Sequence, residues 1–170
     1  MTPALTTPGL LRRLASLVYE SLLIGALLML ASAVFTPLIA LAGESSLMHH
    51  LLQLFMALVL FAYFGYCWVK SGQTPAMKPW RLQLQRADGS LLDWQHAAIR
   101  YLLALLLFVG LPALALQIWQ FPLEARFSLT LVILSWWLVP LLWALVDPDR
   151  QFLHDRLSGT RISLTATKKD

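Results

Sequence analysis

Four long apolar stretches alternate with polar segments along the chain. One of them, Ser21 to Gly43, contains no charged residue, and about 20 apolar helical residues are enough to cross the ~30 Å hydrocarbon core of a bilayer. The pattern predicts membrane spans at residues 14–38, 51–69, 101–118 and 127–146. We therefore expect an all-α membrane protein, a bundle of four transmembrane helices that forms a single domain over residues 1–170.

The polar segments predict a small sheet outside the membrane. In the long segment 70–100, Trp80, Leu82 and Leu84 alternate with polar residues, and Thr160 to Leu164 alternates in the same way. Such alternation is typical of half-buried strands. Because a lone strand leaves its backbone groups unsatisfied, we expect the two strands to pair.

The end of the same segment predicts a turn and a surface helix. Asp88-Gly89 is a turn signal, and Ser90 followed three residues later by Asp93 is typical of a helix cap. We expect the helix that follows, Leu91 to Ile99, to be interfacial and to lie on the membrane surface.

Individual residues mark irregular points and boundaries within the spans. Pro37, in the first span, predicts a kink or the helix end, and the pair Gly110 and Pro112 predicts a kink in the third. At the end of the second span, the aromatic residues that precede Lys70 indicate an interfacial belt; they are Tyr63, Tyr66 and Trp68.

Composition supports the membrane assignment. Hydrophobic residues make up 58% of the chain, charged residues only 13%, and the mean hydropathy is +0.66. A soluble domain has a charged fraction near a quarter. The single cysteine, Cys67, lies inside an apolar run, so no intrachain disulfide is possible.

The distribution of charge predicts the orientation. Of the 13 Lys and Arg residues, all except Arg126 lie before the first span, in segment 70–100 or in the tail 147–170. Cytoplasmic loops are the ones enriched in Lys and Arg, so both termini are expected in the cytoplasm. The same rule explains the net charge of +4 without a nucleic-acid partner.

A signal peptide is the alternative interpretation of the N-terminal region. Arg12 and Arg13 precede an apolar stretch in which Ala31-Ser32-Ala33 imitates a cleavage site. The carboxylate of Glu20 interrupts the approach, and the apolar stretch continues to Gly43. These features favour a membrane span.

Charged residues at the cytoplasmic ends of the spans form the candidate site. Arg13 and Glu20 are seven residues apart and so share one helix face. Ionisable groups at such positions usually face the bundle interior and are paired or hydrated. We expect Arg13 or Arg100 to balance Glu20, within a polar cluster that consists of Arg13, Glu20, Arg100, Asp147, His154 and Asp155. Two interpretations stay open: the charges neutralise one another so that helices can pack, or the carboxylate binds and releases an ion.

Other combinations of reactive residues predict less. His49-His50 lacks a third metal ligand at a useful spacing, so we expect a loop there and no metal. His154-Asp155 has no nucleophile placed to complete a catalytic arrangement. We therefore expect no enzymatic activity and no cofactor.

A series of short motifs extends over nearly the whole chain. Arg13 and Glu20 begin it, Gly72-Gln73-Thr74-Pro75 follows the second span, and Asp88-Gly89 and Arg100 precede the third. The tail contains the sequence DPDRQFLHDRLSGT from Asp147 to Thr160. With these motifs the chain resembles the RDD family of small bacterial membrane proteins. Two positions depart from the family pattern, because Glu20 stands where the family has aspartate and Ala76 where glycine is usual.

The resemblance implies a multi-pass protein of the bacterial cytoplasmic (inner) membrane, and it implies cation/proton exchange as in some members. The expected function is that of a transporter, or a transporter subunit, that moves a proton or small cation through the polar cluster. The alternative is a non-catalytic scaffold or accessory protein whose buried charges serve folding and partner docking. Expected partners are the lipid bilayer, a second copy of the chain or another membrane protein, and a proton or monovalent cation.

Overall fold

Long apolar helices and a small polar cap make up the structure, a computed structural model that describes residues 8–43, 45–118, 126–147 and 151–165. The helices are α1 Leu10–Ala42, α2 Ser46–Ser71, α3 Trp94–Leu105, α4 Leu111–Ile118, α5 Arg126–Val146 and α6 Leu153–Leu157. The strands are β1 Leu82–Arg86 and β2 Thr160–Leu164. We call residues 72–93 and 151–165 the polar cap.

Three helices in the described ranges are long and apolar enough to cross a membrane: Leu10–Leu41, Ser46–Ser71 and Trp94–Leu114. Large apolar side chains on their surfaces are exposed, for example Met29 at 74% and Leu102 at 59%. A soluble protein rarely exposes contiguous apolar surface on this scale, so the lipid bilayer covers these helices. The chain is a membrane protein. Where the sequence predicted the fourth span, α5 is a helix of 21 residues.

The helices are longer than the hydropathy pattern predicted. α1 begins four residues before position 14 and continues through Pro37 to Ala42, where Gly43 ends it with φ +82°. Proline removes one backbone hydrogen bond, which helices in membranes tolerate. Ser45 caps α2 by accepting a hydrogen bond from the backbone N–H of Met48 at 3.2 Å.

Gly72 joins the end of α2 to β1. It has a left-handed conformation, φ +67°, and its backbone N–H bonds the carbonyl of Trp68 at 3.0 Å. This arrangement is common at helix C-termini, where glycine has no Cβ to strain. The Gly72 carbonyl also accepts a hydrogen bond from the Leu84 N–H at 2.7 Å. The first residue after α2 is thereby fixed against the strand.

The predicted pairing of the two strands is confirmed. β1 and β2 form an antiparallel sheet in which Leu82 is opposite Leu164 and Arg86 is opposite Thr160. Trp80, which the alternation placed in the strand, ends a short 3-10 turn just before it. Inward-facing side chains of the sheet join Trp68, Tyr101 and others in a hydrophobic core at the cap end of the helices.

The separate interfacial helix predicted over Leu91 to Ile99 is wrong. The helix begins at Trp94, with Asp93 as its cap, and continues through Arg100 to Leu105. The side chain of Asp93 accepts a hydrogen bond from the His96 N–H at 2.8 Å. Because no glycine or proline interrupts the sequence between Asp93 and Gly110, nothing in it breaks the helix where the polar residues give way to apolar ones.

A π-helical turn, Leu106–Gly110, joins α3 to α4 where the sequence predicted a kink. We call these three consecutive elements together the third helix. The Leu111 N–H bonds the carbonyl of Leu106, five residues back, and Pro112 has no N–H to offer. The Leu107 carbonyl would normally bond the N–H four or five residues further on. The first is used by Leu106 and the second is absent at Pro112, so neither is available to Leu107. The indole Nε1 of Trp136 on α5 donates to it at 2.9 Å, which attaches α5 to the third helix.

Candidate functional site

Glu20 is held by two hydroxyl groups from other elements. It is 9% exposed, and it lies on the same face of α1 as the buried Arg13 and Ser16. The hydroxyl of Tyr63 on α2 donates to Glu20 Oε1 at 2.8 Å. The hydroxyl of Thr74, in the loop after α2, donates to Oε2. Each oxygen of the Glu20 carboxylate therefore accepts one hydrogen bond from a hydroxyl, and neither is bonded to a guanidinium.

Arg13 or Arg100 was expected to balance the charge of Glu20, but neither forms a direct ion pair with it. None of the ion pairs formed among residues 8–43, 45–118, 126–147 and 151–165 includes Glu20. Arg13 lies over the ring of Phe152, with Cζ 5.7 Å from the ring centroid. Arg100 acts on Glu20 only through longer-range electrostatic attraction, because another carboxylate holds its guanidinium.

That carboxylate belongs to Asp155, which is 0% exposed. Arg100 Nη2 donates to Asp155 Oδ1, and His154 Nε2 lies 3.4 Å from the same oxygen. The Arg100 guanidinium also lies 4.5 Å from the ring centroid of Trp68, a favourable cation–π position. One buried ion pair thus connects α3 to α6, with α2 against its cationic side.

His154 is a neutral histidine at physiological pH. Its ring lies between those of Phe108 and Phe152, with centroid distances of 5.8 and 5.9 Å. Burial lowers its pKa to about 4, although the charge of Asp155 opposes the shift and that of Arg100 adds to it. Nε2 of His154 is the ring nitrogen nearest the Asp155 carboxylate, 3.4 Å from Oδ1.

Asp147 lies apart from the other candidate residues. Its Oδ2 accepts a hydrogen bond from the Gln151 N–H at 2.9 Å, and Oδ1 lies 3.7 Å from Nε of Arg156. Gln151 in turn accepts from the Ile162 N–H at 3.1 Å. Asp147 therefore connects the end of α5 to the polar cap.

A cavity of about 370 Å³ lies between α1, α2 and the third helix, next to the polar cap. Its walls are mostly apolar, and its polar lining includes Arg13, Ser16, Glu20, Thr74, Arg100 and His154. Of the six residues singled out from the sequence, four line this cavity, Asp155 lies behind Arg100, and Asp147 does not line it.

Sequence reasoning missed the hydroxyl partners. Tyr63 and Trp68 were assigned to an interfacial belt, but Tyr63 bonds Glu20 and Trp68 is buried under Arg100. Only Tyr66 of that group is exposed, at 55%. Thr74 was noted only as part of a short motif. Helical spacing could have separated Trp68 from the belt, because Tyr63 and Tyr66, three residues apart, share a face that Trp68 does not; no such signal pointed to the contact between Tyr63 and Glu20.

The comparisons with known proteins agree with the motifs. The family model described as RDD family matches residues 7–159. Searches of curated proteins and of solved structures gave no significant match. The family match extends from just before α1 to the turn before β2, and so includes Arg13, Glu20, Arg100 and the whole of α6. The chain belongs to the RDD family.

Proposed function

We propose that this protein is a transporter, or the subunit of one, that moves a proton or small monovalent cation across the bacterial inner membrane. Glu20 is the group that binds and releases the ion. The arrangement is that of four spans with both termini in the cytoplasm, so that the polar cap and the cavity beside it lie on the cytoplasmic side. The chain acts without enzymatic chemistry.

The observation that supports this proposal best is the position of Glu20 in the wall of the cavity. A carboxylate that served only to neutralise a buried arginine would be expected in contact with it. Glu20 instead accepts hydrogen bonds from two neutral hydroxyls, which leaves its negative charge available to an ion. An ionisable residue inside a span that faces a cavity is typical of an ion pathway.

The test is ion flux in proteoliposomes. We expect Glu20→Gln to abolish pH-dependent flux of Na⁺, Li⁺ or K⁺ while the protein remains folded and abundant. Glu20→Asp keeps the charge and should retain part of the flux. Asp88→Asn is the matched control, because it removes one carboxylate charge from an exposed turn. Normal flux in a normally abundant Glu20→Gln variant would refute the proposal.

A scaffold or accessory role is the second candidate, and the Arg100–Asp155 pair favours it. This buried pair connects α3 to α6 and so orders the polar cap, which is what a docking platform for another membrane protein requires. The same experiment separates the two functions. A scaffold predicts that wild-type protein carries no flux and that Glu20→Gln affects only abundance or partner binding.

A further inference from the structure

We propose that Glu20, Tyr63 and Thr74 form a binding site for a partly dehydrated small monovalent cation, Na⁺ or Li⁺. The two hydroxyls are ligands of the ion as well as partners of the carboxylate. This inference rests on the proposed function in taking Glu20 as the exchanging group. It adds two coordinating residues and the class of ion that they select.

Three elements bring oxygen atoms together at this point. Glu20 comes from α1, Tyr63 from α2, and Thr74 from the loop that follows α2. Thr74 is 1% exposed, and it lines the cavity. Ser16, one turn before Glu20 on α1, is buried and lines the same cavity.

The hydrogen bonds leave coordinating capacity on both hydroxyls. A hydroxyl has one proton and two lone pairs. Thr74 donates to Glu20 and accepts the Met77 N–H at 3.3 Å, so one lone pair remains for a cation. Tyr63 donates to Glu20 and can likewise offer a lone pair. An ionised carboxylate only accepts hydrogen bonds, so it can keep both hydroxyl partners at once. A protonated Glu20 would need one of these hydroxyls to turn and accept.

The donor set favours a monovalent ion over a divalent one. Oxygen ligands suit hard cations, but Ca²⁺ and Mg²⁺ sites need several such ligands. In the parts of the chain that the structure describes, no three His, Cys, Asp or Glu side chains gather at one point. Arg13 and Arg100 line the same cavity, and a divalent ion would be repelled by each of them twice as strongly as a monovalent one.

The carboxylate also favours a small ion over a large one. Coulomb attraction grows as the distance between charges falls, so a full negative charge gains more from Na⁺ or Li⁺ than from the larger K⁺. Neutral carbonyl oxygens, which line potassium filters, provide a weaker field. The charge that competes for Glu20 is reduced, because Asp155 neutralises Arg100 and His154 is neutral.

Thermal unfolding of the purified protein in detergent tests the site without requiring transport. Titrations with NaCl, LiCl and KCl are compared with choline chloride at constant ionic strength. An ion that binds only the folded state raises the melting temperature until the site saturates. We expect wild type to respond to Na⁺ and Li⁺ at concentrations at least tenfold below those needed for K⁺.

Isosteric variants identify the ligands. Thr74→Val and Tyr63→Phe each remove one hydroxyl, and we expect at least a tenfold loss of apparent Na⁺ affinity in both. Thr74→Ser restores a hydroxyl and should keep the response. Thr36→Val is the matched control, because the Thr36 hydroxyl is exposed on α1 and bonds only the Ser32 carbonyl of its own helix. Its Na⁺ response should equal that of wild type.

The outcomes distinguish this site from the proposed function. Unchanged Na⁺ affinity in Tyr63→Phe and Thr74→Val overturns the site, even if wild type carries Glu20-dependent flux. A hydroxyl-dependent Na⁺ response in a protein without flux supports the site and refutes the transport function. If Thr74→Val does not fold, Tyr63→Phe alone decides, since its apolar ring is retained.

Discussion

Asp155 is the residue on which the buried charges of the polar cap depend. It is inaccessible to solvent. Its Oδ1 accepts a hydrogen bond from Arg100 and lies 3.4 Å from Nε2 of His154. A buried ion pair contributes little net stability, because desolvation offsets the attraction. Removing one partner is different, since the other charge then remains buried and unpaired.

We therefore predict that Asp155→Asn destabilises the protein by about 3 to 5 kcal/mol, the usual cost of breaking a buried pair. The amide has the shape of the carboxylate but not its charge, so Arg100 keeps its cation–π contact with Trp68 and loses its counterion. The melting temperature in detergent and the abundance in membranes both measure the loss. Equal stability of Asp155→Asn and the exposed control Asp88→Asn would contradict this role.

His154 predicts how stability depends on pH. The unfolded chain takes up a proton at this histidine below its ordinary pKa of 6.5, whereas the folded protein does so only near pH 4. Above pH 6.5 this histidine therefore does not reduce the free energy of unfolding. As the pH decreases towards 4, its protonation in the unfolded chain lowers that free energy by at most about 3 kcal/mol. Melting curves of His154→Gln should show a flatter slope between pH 6.5 and 4. Identical slopes would rule out a buried neutral His154.

The sequence identified the charged members of the site but not the hydroxyls. A charge beside an apolar span is unusual, so Glu20 and Arg100 could be selected without a structure. Hydroxyl residues occur throughout such helices, and most bond their own backbone, as Ser32 and Thr36 do. Only the folding of the loop after α2 against α1 brings Thr74 to Glu20, and no periodicity encodes that contact.

Gly72 determines how the polar cap attaches to the helices. A Cβ at this position would lie 2.5 Å from the Leu84 carbonyl oxygen, and the backbone is already left-handed. Two residues later comes Thr74, the partner of Glu20. The position of the site therefore depends on the close contact between Gly72 and β1.

We predict that Gly72→Ala lowers the melting temperature much more than Gly89→Ala. Both glycines have positive φ, and a left-handed residue with a side chain costs about 1 to 2 kcal/mol. Nothing lies within 4 Å of a Cβ at Gly89, so only Gly72→Ala adds a clash with backbone. Parallel melting curves measure the difference. A similar loss in the two variants would show that the contact with β1 can relax.

Periodicity could predict the elements better than the joints between them. Thr160 to Leu164 and its partner strand were recognisable because alternation reports which face is buried. The uninterrupted start of the third helix was not, because Arg100 looks like a surface residue until Asp155 is placed beside it. The choice between a surface helix and a longer transmembrane helix is made by tertiary contacts.

The polar cap lies at one end of the bundle, where several helices begin or end. α1 begins there, α2 ends there, the third helix begins there and α5 ends beside it. The basic residues follow the same division, with Arg126 at the opposite end of α5. Comparing the accessibility of the two ends of the helices is therefore enough to determine the orientation of the protein in the membrane.

Cysteine labelling measures that orientation. In a Cys67→Ala background, Ser46→Cys should react with an impermeant maleimide added to intact cells, because the proposed orientation puts the start of α2 on the outer side. Ser90→Cys should react only after the membrane is permeabilised. Both positions are exposed in the structure, so burial does not explain a difference. Labelling of Ser90→Cys from outside would contradict four spans with cytoplasmic termini.

The π-helical turn also has a consequence for the angular phase of the third helix. A hydrogen bond that spans five residues contains one residue more than an α-helical turn, and one residue corresponds to ~100° of rotation. The insertion therefore uncouples the face of α3 that presents Arg100 to Asp155 of the cap from the face of α4 beyond Gly110. Deleting a single residue from Leu106–Gly110 would restore a regular helix and turn one half against the other. Arg100 and the far half of the third helix could then no longer both keep their neighbours.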